Sequence, residues 1–227
     1  MAELTAVPGD MADVVLVRHG RTVWNLTGRF QGQSDIPLDD VGQAQAAAAA
    51  PLVTASFPNA ELVSSDLIRA QQTAAAIAEL LGVGIAIDER LREQAFGAWE
   101  GLTRDEIEAG WPDGLRAWRS GADLGDEVGA ESRQALQDRM VAAIEERAAL
   151  VGPQSTVIVV SHGAAITAAI AGLLGHPATW RGVVGLDNCH WTHLIRSPKG
   201  TNPKWRVVAH NLGVPPALDL VTGTPGV

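Results

Sequence analysis

The sequence feature that most constrains the fold is a short apolar run, Val14–Val17, which ends abruptly in Arg18, His19 and Gly20. Four consecutive apolar residues, three of them valine, predict a central strand that is buried on both faces. Open α/β sheets bind ligands at the carboxyl ends of their strands, so Arg18 and His19 are candidate ligand-binding residues. Gly20 permits a sharp turn and a close approach of the backbone to a ligand. A single histidine after a strand is also typical of a structural residue, so its role depends on the rest of the chain.

Two further predicted strands end in similar side chains. The β-branched run Thr156–Val160 is followed by Ser161, His162 and Gly163, and the predicted strand Glu61–Ser65 is followed by Arg69 one helical turn later. If these strands lie side by side in parallel, two histidines and at least two arginines meet in one pocket. Gly163 also opens a predicted helix, whose N-terminus favours an anion.

Helical segments alternate with the strands. Asp39 is placed to cap a helix that runs from Asp40 to about Ser56, and Pro51 is expected to kink or divide that helix. Asp66 is placed to cap the helix that follows the second strand. Strands that alternate with helices predict an α/β fold, namely a three-layer α/β/α sandwich with a mostly parallel central sheet.

The predicted domain organisation is simple. A single domain is expected at 13–212, with a small helical cap insertion at about 94–130. Flexible tails are expected at 1–12 and 213–227, the latter because it is rich in proline and glycine. The tryptophans and arginines of the insertion would either cap the site or form a small core between two helices, and the sequence leaves both readings open: Trp111, Arg116, Trp118 and Arg119.

Composition excludes several classes of protein. The net charge of −9 argues against nucleic-acid binding and means that an anion site must come from locally clustered arginine and histidine. Cys189 is the only cysteine, so the chain forms no intrachain disulfide and no cysteine-based metal cluster. The chain shows no His-x-x-x-His or Asp-x-Asp spacing, so we expect neither a metal nor a cofactor.

The location of the protein is predicted from two segments. The first twelve residues lack a basic region followed by an apolar stretch, so we expect a cytoplasmic protein. The apolar segment 157–175 changes from β-branched to alanine- and leucine-rich residues around His162. It therefore predicts a strand, a turn and a buried helix rather than a membrane span.

Four motifs, taken in order along the chain, resemble the histidine phosphatase superfamily, in its phosphoglycerate-mutase-like branch. The resemblance covers about 14–208, and the motifs are Leu16–Gly20 with Trp24 and Asn25; Ser64–Ala70 with Thr73 and Ala74; Leu91–Glu93 with Phe96, Gly97 and Trp99–Gly101; and Val159–Gly163. Each motif alone is weak, whereas the four in this order are specific.

The resemblance implies a role for each matching residue. His19 would be the nucleophile that forms a phosphohistidine, Arg18, Arg69 and His162 would hold the phosphoryl oxygens, and Glu93 would protonate the leaving oxygen. The implied phosphate and substrate contacts are Arg18, Asn25, Gln31, Gly32, Arg69, Glu93, His162 and Gly163. Arginine and protonated histidine supply the charge that phosphoryl transfer needs without a metal.

Glu93 has two interpretations. Phe96 and Trp99 could desolvate its carboxyl group and make it a general acid. Alternatively, Glu93 is a loop carboxylate that pairs with Arg90 or Arg92.

The leading hypothesis is a metal-independent phosphomonoesterase that acts on small phosphorylated metabolites through a phosphohistidine. The motifs around Trp191–Leu194 and Leu91–Gly101 look most like those of actinobacterial family members, which implies a phosphorylated sugar or sugar acid such as glucosyl-3-phosphoglycerate. The alternatives are a phosphoglycerate mutase and a non-catalytic protein that binds phosphorylated ligands. The expected partner is a small phosphomonoester rather than nucleic acid or a membrane, and a homodimer remains open.

Overall fold

A six-stranded sheet is built around the strand that contains Val14–Val17. The structure, a computed structural model, describes residues 12–124, 127–152 and 155–214. The strands are β1 (Asp13–Arg18), β2 (Ala60–Ser64), β3 (Ile85–Ile87), β4 (Thr156–Ser161), β5 (Trp191–Arg196) and β6 (Trp205–Leu212). Their order is β3-β2-β4-β1-β5-β6, in which the first four strands are parallel and the last two are antiparallel additions. The predicted α/β fold with a mostly parallel sheet is confirmed.

The three strand ends that carry the candidate residues are neighbours in this sheet. In the parallel register, Arg18 of β1 lies opposite Ser161 of β4, and Ser64 of β2 lies opposite Val160 of β4. All three strands therefore end at one edge of the sheet. The predicted meeting of two histidines and two arginines, which are His19, His162, Arg18 and Arg69, follows from this order.

Helices cover both faces of the sheet. The sheet is covered by α2 (Asp40–Ser56) and α3 (Ile68–Leu81) on one face and by α6 (Arg133–Val151) and α7 (Gly163–Leu173) on the other. The other helices are α1 (Val23–Leu26), α4 (Arg104–Gly110) and α5 (Pro112–Ser120), and 3-10 turns lie at Glu89–Leu91 and Gly97–Trp99. None of the helices in the described ranges is long and apolar enough to cross a membrane.

The alternation of side chains along β1 explains the three layers. Val14 and Leu16 pack with α6 and α7, whereas Val15 and Val17 pack with α2 and α3. Both faces of the strand are therefore apolar, as the uninterrupted valine-rich run predicts. Each fully buried side chain of this size contributes about 1.5–3 kcal/mol relative to an exposed one.

Three local expectations meet different outcomes. The Asp39 carboxylate accepts the Gly42 N–H at 2.8 Å and caps α2, as predicted. Pro51 lies inside α2, which runs undivided from Asp40 to Ser56, so the predicted division of this helix is wrong. The predicted cap by Asp66 is also wrong, because α3 begins after Leu67 with no side-chain cap, and Asp66 instead accepts the Arg92 Nε–H at 2.8 Å.

Gly20 permits a close approach between the turn after β1 and a helix. A Cβ atom at this position would lie 2.5 Å from the carbonyl oxygen of Gly42, in the first turn of α2. A side chain at this position would therefore clash with α2.

The segment that contains α4 and α5 has a hydrophobic cluster of its own. Its buried members are Phe96, Trp99, Ile107, Leu115 and Val128. Phe30 contacts Phe96 and Trp118 with ring-centroid distances of 5.2 Å in both cases, and thereby joins this segment to the loop after α1. Trp118 belongs to this core, whereas Arg116 and Arg119 form exposed ion pairs with Asp113 and Glu108.

The predicted tails lie almost entirely outside the described residues, which begin at 12 and end at 214. Ala12, which the sequence analysis assigned to the N-terminal tail, is fully buried, and its N–H donates to the Ala148 carbonyl at 3.2 Å. Its small side chain is part of the core beside α6, so this residue belongs to the folded domain.

Candidate active site

His19 is buried directly after β1 and has a fixed orientation. Its Nδ1 lies 2.6 Å from the Gly20 carbonyl oxygen, which can only accept a hydrogen bond, so Nδ1 carries the proton. The other ring nitrogen, Nε2, therefore has a free lone pair. A neutral imidazole held in one tautomer is the form in which histidine acts as a nucleophile.

His162 lies next to His19 and is held by the neighbouring strand end. The two rings have centroids 5.2 Å apart, and both side chains are at least 97% buried. Arg69 Nε donates to His162 Nδ1 at 3.2 Å, so His162 Nε2 carries the proton and donates to Ser65 Oγ at 2.9 Å. Ser65 stands at the end of β2 and was not assigned a role from the sequence.

Burial and positive charge keep both histidines neutral. Burial lowers the pKa of His19 well below its ordinary value, and the Arg69 and Arg18 charges lower it further. Burial likewise lowers the pKa of His162, with Arg69 and then His19 as the next causes. Burial also lowers the pKa of Arg69 to about 10, so this guanidinium remains charged at neutral pH.

Arg69 is fully buried and links three parts of the site. Besides His162, it donates to the carbonyl oxygens of Gly32 and Ser34, both at 2.7 Å. These three hydrogen bonds use three of the five guanidinium N–H groups. Two N–H groups therefore remain for another acceptor.

Arg18 provides an unpaired donor at the same edge of the sheet. One of its terminal nitrogens donates to the Leu186 carbonyl, whereas its buried Nε has no partner among the residues that the structure describes. A Cβ atom on Gly163 would lie 3.6 Å from this Nε and 3.9 Å from Glu93 Oε2. Gly163 thus leaves open the space between a guanidinium and a carboxylate.

Glu93 caps the helix that follows His162. Its Oε1 accepts the N–H groups of Ala165 at 2.8 Å and Gln94 at 2.9 Å, and its Oε2 accepts the N–H of Ala164 at 3.0 Å. Oε2 therefore retains a lone pair on the side of Arg18. The expected alternative, pairing with Arg90 or Arg92, is wrong, because those side chains bind Asp88 and Asp66.

Asn25 lies in α1, and Gln31 and Gly32 lie on the loop that follows it. The amide oxygens of Asn25 and Gln31 lie within hydrogen-bond distance of Thr22 Oγ1, at 3.2 and 3.0 Å, so their amide nitrogens are directed elsewhere. Gly32 contributes its carbonyl to Arg69 and has φ +51, and a Cβ there would lie 2.1 Å from Glu100 Oε1.

Several supporting residues have no individual signal in the sequence. Thr73 Oγ1 accepts the Gly20 N–H at 3.0 Å, and Asn188 Nδ2 donates to the His19 carbonyl at 2.9 Å. Glu100 accepts hydrogen bonds from Gln33, Ser34 and Phe96 and so joins two loops. Thr73 and Glu100 lie within motifs that the sequence analysis singled out, but Asn188 lies in a loop without pattern.

The described ranges contain no group of three or more His, Cys, Asp and Glu side chains arranged to hold a metal ion. The site instead contains two guanidinium groups and the carboxyl group of Glu93, beside two neutral imidazoles. Two guanidinium groups and neutral N–H donors at the carboxyl end of a parallel sheet suit the binding of a phosphoryl group.

Comparison with known proteins identifies the family. The sequence model described as "Histidine phosphatase superfamily (branch 1)" matches residues 14–212. A glucosyl-3-phosphoglycerate phosphatase from Mycolicibacterium vanbaalenii is 35% identical over 222 residues, which are 92% of this chain and 98% of that protein. A probable phosphoglycerate mutase GpmB from Salmonella paratyphi C is 39% identical over 183 residues, 79% of this chain and 82% of that protein.

A solved structure supports the same family assignment. A mycobacterial glucosyl-3-phosphoglycerate phosphatase in complex with VO3 superimposes with a TM-score of 0.80 and 35% sequence identity. The match covers 88% of this chain and 99% of that structure. The chain belongs to the histidine phosphatase superfamily.

Proposed function

We propose that this phosphatase transfers the phosphoryl group of its substrate to His19 and then to water. The observation that carries the proposal is the fixed tautomer of His19. The Gly20 carbonyl holds Nδ1–H at 2.6 Å, and the lowered pKa keeps the ring neutral, so Nε2 presents its lone pair. A covalent intermediate divides one difficult displacement into two easier ones.

In the first step, the Nε2 lone pair of His19 attacks phosphorus and the bond to the leaving oxygen breaks. The electron pair of that bond goes to the leaving oxygen, which takes a proton from the Glu93 carboxyl group. The product is an alcohol. Since Oε2 of Glu93 has only one N–H donor and lies beside the space in front of Gly163, Glu93 is our choice for this acid.

In the second step, water attacks the phosphorus of the phosphohistidine and gives its proton to the Glu93 carboxylate. The phosphorus–nitrogen bond breaks, and its electron pair returns to Nε2 of His19. The sum of both steps is ester plus water to alcohol plus inorganic phosphate. General acid–base help of this kind contributes roughly 10²–10⁴-fold.

The phosphoryl oxygens need hydrogen-bond donors, some of them positively charged, in both steps. We assign this role to the unpaired Arg18 Nε, to the two remaining N–H groups of Arg69, and to the proton on His162 Nε2. To reach the phosphoryl group, the His162 ring turns so that its Nε2–H leaves its present acceptor, Ser65 Oγ. The amide nitrogens of Asn25, in α1, and of Gln31, in the loop after α1, supply neutral donors.

We infer that the substrate is a phosphorylated sugar acid, with glucosyl-3-phosphoglycerate as the first candidate. The support is the name shared by a relative that matches 92% of this chain and by a structure of TM-score 0.80. The leaving group of such an ester is an alkoxide, which needs the proton that Glu93 would supply. The net charge of −9 supports a small metabolite over nucleic acid, and we place the enzyme in the cytoplasm.

A mutase would use the same histidine but must keep water away from the phosphohistidine. We infer that the segment 94–130 acts as the cap of the site. Its helices α4 and α5 are only 7 and 9 residues long, and α5 ends at Gly121 in a left-handed conformation. A cap of two short helices excludes water poorly, which favours hydrolysis over transfer to a bound acid.

The test is a panel of phosphorylated metabolites scored by phosphate release and kcat/KM. The proposal predicts the highest kcat/KM for glucosyl-3-phosphoglycerate, and lower values for sugar phosphates without a carboxylate. A second assay supplies 3-phosphoglycerate with catalytic 2,3-bisphosphoglycerate. Rapid formation of 2-phosphoglycerate with little free phosphate would show a mutase instead.

A further inference from the structure

The loop that carries Glu93 is anchored by a side chain from a distant helix. Arg139, in α6, donates from one terminal nitrogen to the carbonyl oxygens of Arg90 and Arg92, both at 2.7 Å. Its other terminal nitrogen donates to the carbonyl oxygen of Glu93 at 2.9 Å. One guanidinium thus binds three of the four carbonyl groups between residues 90 and 93.

Arg139 is itself fixed by Glu131. Arg139 Nε donates to Glu131 Oε1 at 2.6 Å, and the terminal nitrogen that binds Glu93 also donates to Glu131 Oε2 at 2.8 Å. Together with the three carbonyl groups, these bonds use all five N–H groups of the guanidinium. Lysine has a single nitrogen and cannot reproduce this planar arrangement.

Glu131 also binds the chain directly after Glu93. Its backbone N–H donates to the Ala95 carbonyl at 2.9 Å, and its carbonyl accepts the Gln94 side-chain amide at 2.8 Å. The segment 90–95 is therefore attached to Glu131 and Arg139 along its whole length.

Glu93 is held at its backbone carbonyl and at its carboxylate. Arg139 of α6 donates to the carbonyl at 2.9 Å and Gln33 Nε2 donates to it at 3.1 Å, whereas the first N–H groups of α7 bind the carboxylate. A change at the backbone point shifts the carboxylate relative to the leaving oxygen. Since proton transfer requires heavy-atom distances of about 2.6–3.2 Å, a small shift of the carboxylate lowers the rate of proton transfer to the leaving oxygen.

We propose that Arg139, together with Glu131, is a positioning residue for the general acid Glu93. The inference rests on the proposed function of Glu93. The pair contacts neither phosphate nor leaving group in this assignment and acts only through the place of the Glu93 backbone. Loss of Arg139 slows a reaction more when its leaving oxygen has a greater need for a proton.

The experiment compares two substrates of nearly the same shape. Phenyl phosphate has a poor leaving group that needs a proton, whereas p-nitrophenyl phosphate has a good one that needs little. We expect R139M to raise the ratio of kcat/KM for p-nitrophenyl phosphate to that for phenyl phosphate by about tenfold or more. A misplacement of about 1 Å can cost on the order of 10²-fold in the assisted reaction. R139K keeps the positive charge but loses the planar set of five N–H groups. It should shift the ratio in the same direction but by a smaller factor.

A matched control comes from the same helix. Glu145 of α6 pairs with Arg196 at 3.2 Å and makes no bond to the segment 90–95. E145Q also removes an ionised partner from α6, and it should leave the ratio unchanged. Circular dichroism and thermal unfolding show whether all variants are folded. If R139M does not fold, the ratio measured for R139K tests the positioning role.

A double variant separates this inference from the proposal that it rests on. E93Q should raise the same ratio, and E93Q/R139M should raise it no further, since both changes remove one function. A ratio unchanged in E93Q would overturn the acid role and the inference with it. A ratio raised in E93Q but unchanged in R139M and R139K would overturn the positioning role alone, as would equal losses on both substrates.

Discussion

Replacing Arg69 by lysine keeps the positive charge of the site but removes the directed hydrogen bonds. Arg69 is fully buried and donates to Gly32, Ser34 and His162. The single nitrogen of lysine cannot reach two loop carbonyls and an imidazole on the other side at once. We expect two of the three acceptors to lose their partner.

The size of the effect follows from these lost bonds. A buried acceptor without a partner costs about 1–3 kcal/mol, so two of them cost roughly 2–6 kcal/mol. For a domain of this size, 1 kcal/mol shifts Tm by about 2–4 °C. Arg69→Lys should therefore lower Tm by at least about 4 °C. Because the orientation of His162 and the loop of Gly32 loosen together, kcat/KM should fall on the order of 10²-fold.

Thermal unfolding followed by circular dichroism measures the first effect, and release of p-nitrophenol measures the second. Arg119→Lys is the control, because Arg119 is an exposed arginine that lies 3.8 Å from Glu108. An exposed pair contributes about 0–1 kcal/mol, so this control should have nearly the Tm of the parent protein. Equal Tm values and equal kcat/KM for Arg69→Lys and Arg119→Lys would show that the hydrogen bonds of Arg69 contribute to neither stability nor activity.

Three further predictions concern the pH dependence, the absence of a metal requirement and the opening at Gly163. Burial lowers the pKa of His19 and His162, so their contribution to stability is complete above the unfolded-state pKa of about 6.5 and is lost as the pH falls below it. The loss is at most about 2.7 kcal/mol per pH unit for the two groups together. In urea unfolding between pH 7 and 5, the free energy of unfolding should depend less steeply on pH for His19→Ala, and an unchanged pH dependence would contradict this. Activity should persist in EDTA and be inhibited by vanadate, since the guanidinium groups of Arg18 and Arg69 supply the positive charge. Loss of activity in EDTA with recovery on adding Mg²⁺ would contradict this. Gly163→Ala should weaken inhibition by inorganic phosphate, because the added Cβ would lie 3.6 Å from Arg18 Nε. It should not lower Tm, because a helix tolerates alanine. Unchanged inhibition would count against phosphate binding beside Arg18.

The sequence predicts the fold well where the pattern is strong. Val14–Val17 and Thr156–Val160 are apolar on both faces, and only the centre of a covered sheet satisfies such runs. Asp66 shows where local rules fail. Its position before α3 is that of a cap, but Arg92 is a stronger partner and lies 26 residues further along the chain.

The predicted site divides in the same way. His19 and His162 are found from the sequence because each directly follows a strand, and the order of parallel strands brings strand ends together. The surroundings of Glu93 could not be found, since its partners are backbone N–H groups of α7, about 70 residues away. Arg139 is hidden for the same reason, because carbonyl groups of a loop have no signature in the side-chain pattern.

We propose that His19 carries the phosphoryl group, and rapid quenching tests this role most directly. The enzyme is mixed with a radiolabelled phosphomonoester, the reaction is stopped after milliseconds in alkali, and the protein is digested to locate the label. We expect a base-stable, acid-labile phosphoprotein with the label on the peptide that contains His19, and no label or turnover in His19→Ala. Full turnover in His19→Ala, or a label on another residue, would contradict it.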